Sequence, residues 1–124
     1  MALKRILIVD DDVALLKLFT RLLQDQGHLV HTATSVESAY QILNKHQFDV
    51  CICDMTLGLH SGVELLNYSP VLQANGTRFA VISGKKRYEE LCHSIGVEFR
   101  LKPIANADLL ALVDGDSSKV NHSV

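Results

Sequence analysis

Apolar and polar positions follow two rhythms along this chain, and the rhythm changes every dozen residues or so. "RILIV" (5–9) is a short, almost unbroken apolar run, the pattern of a strand buried on both faces. Val13, Leu16, Phe19 and Leu23 then recur at helical spacing, with Gly27 as a stop. "HLVHTA" (28–33) predicts a second strand. Val36, Ala39, Tyr40 and Leu43 form the next helical stripe, entered through Thr34 and Glu37 at capping-box spacing. "FDVCICD" (48–54) predicts a third strand. Ser61 and Glu64 offer another capping box before a short helix through Leu65 and Leu66, which Ser69-Pro70 interrupts and restarts. Asn75-Gly76 marks a bend. "RFAVIS" (78–83) is the fourth strand, and Tyr88, Leu91, Cys92 and Ile95 give a helical stripe ended by Gly96. "VEFRL" (97–101) alternates, as an edge strand does, and residues 104–113 predict a last helix.

Five strands alternating with about five helices argue for one α/β domain with a parallel sheet covered on both faces. The expected boundaries are 1–113 for the folded domain and 114–124 for a polar, disordered tail, with no length or pattern there for a DNA-binding helix pair. A net charge of −2 gives no global pull toward nucleic acid or an anionic membrane. The amino-terminal apolar run is too short for a signal peptide, and no segment is long enough to span a bilayer. Cys51, Cys53 and Cys92 lack metal-site spacing, and the first two suit packing on one strand face. The six histidines (28, 31, 46, 60, 93 and 122) are scattered without ligand spacing. A reducing cytoplasm is the expected location.

In open α/β sheets the working site lies beyond the carboxyl ends of the strands. Those ends carry Asp10, Asp11 and Asp12, then Asp54, Ser83 and Lys102. Singly each has a plain reading: Asp12 as a helix cap, Ser83 as a loop hydroxyl, Lys102 as a solvated charge. Together they describe a charged rim. Two carboxylates about 4 Å apart repel by roughly 4 kcal/mol at an effective dielectric near 20, so such a cluster takes up protons or a cation. An all-oxygen acidic site suits Mg²⁺. A hydroxyl, a lysine and a metal around one carboxylate can stabilise a transferring phosphoryl group, with Asp54 as the nucleophile.

The motifs "ILIVDDD", "DVCICDMTLGLHSG", "FAVISG" and "FRLKP", in this order on this pattern, resemble the receiver domain of bacterial two-component response regulators over residues 3–113. The resemblance implies a flavodoxin-like fold with strand order 2-1-3-4-5. It implies Asp54 as phosphoacceptor, and Mg²⁺ held by Asp10, Asp11, Asp54 and the Thr56 backbone carbonyl. It further implies backbone phosphoryl contacts from Met55 and Gly84, Lys102 pairing with the phosphoryl charge, and a cis peptide at Pro103. Ser83 and Phe99 fall at the switch positions; for Phe99, plain packing is an equal reading. The partners implied are a histidine kinase or a histidine phosphotransfer protein, an unknown downstream protein, and a second copy in a phosphorylation-linked homodimer.

The chain departs from the family pattern in two places. Gly58 stands where proline is usual, and the Ser83–Lys102 interval is short, shrinking the fourth helix or the loop before it. Lys85, Lys86 and Arg87 near that helix start are either solvated or face an anionic partner, and Lys85 implies an atypical phosphoryl lifetime. The domain would catalyse its own modification without being an enzyme of an external substrate. Two rivals stand beside this reading. One is a receiver-like scaffold working independently of phosphorylation. The other is a haloacid-dehalogenase-type phosphatase using Asp10 and Asp12, although Ala14 stands where that family expects Thr or Val.

Overall fold

The protein is described here by a computed structural model, which covers residues 3–57 and 60–115. The elements run β1 (Arg5–Val9), α1 (Val13–Asp25), β2 (Leu29–Ala33), α2 (Val36–Lys45), β3 (Val50–Cys53), β4 (Thr56–Leu57) and β5 (His60–Ser61). They continue with α3 (Val63–Asn67), α4 (Ser69–Ala74), β6 (Arg78–Ser83), a 3₁₀ turn (Lys86–Tyr88), α5 (Glu89–Ser94), β7 (Glu98–Leu101) and α6 (Asn106–Asp114). Five strands form one parallel sheet in the order β2-β1-β3-β6-β7, which is the expected 2-1-3-4-5 counting the sheet's own strands. The short β4–β5 pair is a separate antiparallel hairpin in the connection after β3, and nothing in the apolar pattern announces it.

The near-continuous apolar runs of β1, β3 and β6 are explained by burial on both faces. Ile6, Ile8, Val50, Ile52, Ala80 and Ile82 face α1 and α6, packing on Leu16, Phe19, Leu109 and Leu112. Leu7, Val9, Cys51, Cys53, Phe79 and Val81 face the other helices, packing with Ala39, Leu65, Leu72 and Cys92. Both cores end where polar residues begin, at the carboxyl edge of the sheet.

Three local expectations shift. The box entering α2 is Ser35 with Ser38, one residue after Thr34 and Glu37, because the Ser38 hydroxyl returns the hydrogen bond. Helix α3 has Gly62 at its N-cap position, one residue after Ser61, and Gly62 brings no side-chain bond; the Ser61 side chain lies outside the described residues. In the fourth crossover the stripe narrows to Cys92, while Leu91 and Ile95 are 42% and 41% exposed. A six-residue helix turns too few side chains inward to bury more than its centre. Pro70 sits in the first turn of α4 as expected, and Gly27 and Gly76 end their helices with φ of 90°.

Candidate functional site

Asp10, Asp54 and Lys102 each follow the last residue of a strand, yet their amides still belong to the ladder. Asp10 N–H donates to the Ala33 carbonyl (3.0 Å), Asp54 N–H to Val9 (2.9 Å) and Lys102 N–H to Ser83 (2.8 Å). The sheet therefore fixes the base of each side chain while the next residues turn away. Asp10 and Asp54 are 4% and 5% exposed, so these two carboxylates are withdrawn from bulk water; Asp11 is open to solvent.

Carboxylate oxygens of Asp10, Asp11 and Asp54 lie within 4.8 Å of one another, among the described residues the only such acidic, His or Cys group of three or more. Lys102 Nζ reaches into the group, 2.8 Å from Asp10 Oδ2 and 3.6 Å from Asp54 Oδ2. The other Asp10 oxygen accepts the Asp12 N–H at 2.9 Å. Burial alone would lower the Lys102 pKa; the hydrogen bond to Asp10 and the charges of Asp54 and Asp10 outweigh it and raise the pKa above its ordinary value. The arrangement can hold a hard cation or accept a dianionic group beside a fixed ammonium.

Asp12 is spent elsewhere: its carboxylate caps α1 by accepting the Leu15 N–H at 3.1 Å. A phosphatase built on Asp10 and Asp12 would need that second carboxylate in the site. Ser83 is buried at the end of β6, its hydroxyl accepting the Lys85 N–H at 3.1 Å. Gly84 faces open space, a Cβ there meeting nothing within 4 Å. Phe99 is 6% exposed and belongs to the core cluster, with Tyr88 packed against the same cluster. Met55 is buried, Thr56 opens β4, and the Lys102-Pro103 peptide is cis as expected. Gly58 lies outside the described residues. Burial pushes the Cys51 thiol up to about 12 and the Cys53 thiol well above its usual value, which fits packing and not thiolate chemistry.

Sequence reasoning missed Gly62. Its N–H donates to the Met55 carbonyl at 2.6 Å, and a Cβ on it would overlap the Asp54 carbonyl oxygen and lie 2.9 Å from Met55 Cα. The only written signal was a glycine where the first turn of α3 begins, eight residues after Asp54.

Residues 6–114 match the response regulator receiver domain family. The chain belongs to that family. This receiver domain is 32% identical over 102 residues to the alginate biosynthesis transcriptional regulatory protein AlgB of Pseudomonas aeruginosa, covering 80% of this chain and 22% of that protein. The chain thus spans under a quarter of the length of that curated relative. In fold it is similar to a Burkholderia pseudomallei response regulator solved with a phosphorylated aspartic acid, calcium ion and citrate (TM-score 0.84, 24% identity, 97% of this chain and 72% of that one). It is also similar to the Thermotoga maritima response regulator TrrA in complex with Mg²⁺-BeF (TM-score 0.79, 23% identity, 91% and 98%). The flavodoxin-like fold is that of these CheY-like receiver domains. No helix among the described residues is long and apolar enough to cross a membrane.

Proposed function

We propose that this receiver domain accepts a phosphoryl group on the Asp54 carboxylate from a phosphohistidine of a histidine kinase or phosphotransfer protein, and then offers an altered surface to a downstream protein. The observation that carries the reading is the convergence of three carboxylates within 4.8 Å with Lys102 reaching two of them at the sheet's carboxyl edge. In the transfer an Asp54 oxygen forms a P–O bond as the donor's P–N bond breaks, and the imidazole leaves after taking a proton. Lys102, already 3.6 Å from Asp54, offsets charge on the equatorial oxygens, and the Met55 and Gly84 backbone amides donate to them.

Asp10, Asp11 and Asp54 suit a hard divalent cation: every donor is oxygen, and one carboxylate is open to water. With the Thr56 carbonyl as a further ligand, they would hold Mg²⁺, which supplies charge neutralisation beside the phosphoryl oxygens when bound. The calcium ion and phosphorylated aspartic acid of the Burkholderia relative, and the Mg²⁺-BeF of the Thermotoga one, support the choice.

On phosphorylation the Ser83 hydroxyl leaves the Lys85 amide for the phosphoryl oxygen, and the β6–α5 connection follows it. Phe99, a member of the core cluster against which Tyr88 of that connection packs, transmits the change toward the packed α5 and β7, where Leu91, Ile95 and Leu101 are exposed. A downstream protein or a second copy of the chain would read that face.

Intact-protein mass spectrometry with acetyl phosphate, with and without Mg²⁺, tests the reading. A Mg²⁺-dependent phosphoryl adduct that Asp54→Asn abolishes is the expected result. No adduct, with beryllofluoride binding also absent, would replace it with the phosphorylation-independent scaffold.

A further inference from the structure

The backbone carbonyl of Asp54 has two close neighbours that restrict it. The Cys53 thiol donates to it at 3.1 Å in a fully buried setting. Gly62 approaches so closely that a side chain there would occupy the same space as the oxygen, while its own N–H holds the next carbonyl, that of Met55. A peptide just past a strand end ordinarily keeps rotational freedom, because its groups have left the ladder. This one does not.

The restriction has a chemical address. The Asp54 carbonyl and the Met55 N–H belong to one peptide plane, which is rigid and trans, so fixing the direction of the oxygen fixes the opposite direction of the hydrogen. An apolar side chain of similar size would fill the space around Cys53, but among such side chains a thiol also has a hydrogen to donate.

We propose that the Cys53 thiol is a positioning residue: together with Gly62 it orients the Asp54–Met55 peptide so that the Met55 N–H is presented to the phosphoryl group. The proposal rests on the reading of Asp54 as the phosphoacceptor. Cys53 touches no reacting atom and acts only through the peptide beside it.

The test compares wild type, Cys53→Val and Cys53→Ser, each ¹⁵N-labelled, by the Met55 amide resonance and by the rate of phosphoryl uptake from acetyl phosphate at saturating Mg²⁺. Cys53→Val removes the donor with a somewhat larger apolar side chain; Cys53→Ser restores a donor in a smaller one, so recovery in serine separates the lost bond from the added bulk. The valine variant should displace the Met55 resonance and lower the maximal uptake rate about threefold, the worth of one weak hydrogen bond. The donor concentration for half-maximal rate and the Mg²⁺ affinity should hold, and serine should return both readouts toward wild type. An unmoved Met55 resonance in the valine variant, or a serine variant no better than valine, overturns the proposal. A wild type that takes no phosphoryl group at all overturns the phosphoacceptor reading instead, and the Met55 resonance separates the two failures by reporting the peptide plane directly.

Discussion

Lys102 Nζ donates to Asp10 Oδ2 at 2.8 Å, joining the ends of β1 and β7 across 92 residues of sequence. The ammonium is thus nearer to Asp10 than to Asp54, 3.6 Å away. Under the proposed function, a cation drawn to the acidic trio would compete with Lys102 for Asp10, coupling cation entry to lysine movement through one carboxylate.

That pairing sets a pH dependence. Because the pairing raises the Lys102 pKa above the ordinary 10.5, the folded chain holds this proton more tightly than the unfolded one. The contribution to stability is complete below about pH 10.5 and fades as pH rises through the folded value. Urea midpoints followed from about pH 8 to about pH 11.5 should fall more steeply for wild type than for Lys102→Gln. Parallel curves would show that the pair adds nothing.

Mg²⁺ should raise the melting temperature, by an amount equivalent to about 2.7 kcal/mol at a hundredfold excess over its dissociation constant. Asp11 is exposed and carries one of three clustered negative charges. Asp11→Asn should therefore leave the metal-free melting temperature equal or slightly higher, while removing most of the Mg²⁺ response. Differential scanning calorimetry with and without Mg²⁺ reads both effects, and a full response in the variant would remove Asp11 from the ligand set.

Two glycines beside the site should respond oppositely to alanine. In Gly62→Ala the new Cβ meets backbone, which cannot rotate aside, so the connection after Asp54 must move; a loss of roughly 1–3 kcal/mol is expected in urea unfolding. In Gly84→Ala the Cβ enters open space, so stability should stay within about 0.5 kcal/mol of wild type. Under the proposed function, however, Gly84→Ala slows phosphoryl uptake, because that space receives the phosphoryl oxygens.

Arg78 binds the far end of the domain. Its guanidinium donates to the Leu112 carbonyl (2.8 Å), the Val113 carbonyl (3.3 Å) and Glu98 (2.7 Å), satisfying the last turn of α6. Arg78→Met should keep much of the stem packing and lose those bonds, lowering stability by about 1–2 kcal/mol. Hydrogen exchange should rise in α6 while the amides of β1 and β3 keep their protection.

The parts of the fold that sequence made legible are those where one physical rule acts alone. Continuous apolar runs marked β1, β3 and β6 because both faces of a central strand are buried, and the residues after them were polar because the sheet ends there. Asp10, Asp54 and Lys102 were readable for that reason. The cap of α2 was misplaced by one residue because Thr34 and Ser35 can both accept from a helix amide, and only the returning bond from Ser38 decides. Leu91 and Ile95 have helical spacing but lie outside because α5 is too short. Gly62 was invisible because its requirement is set by the backbone of Asp54, and a sequence pattern records side chains.

The bonds from Arg78 have a counterpart in Lys4, whose ammonium also donates to the Val113 carbonyl, at 2.8 Å. Lys4 and Arg78 stand at the starts of β1 and β6, the rim opposite Asp54, and the chain leaves α6 there through Gly115 in the left-handed conformation. Anything joined beyond Gly115 is anchored to the floor of the molecule, a whole strand length from the charged rim. Under the proposed function, a change at Asp54 would have to cross the sheet or run along α6 to be felt at that point, whereas one carried by α5 and β7 would stay on the flank.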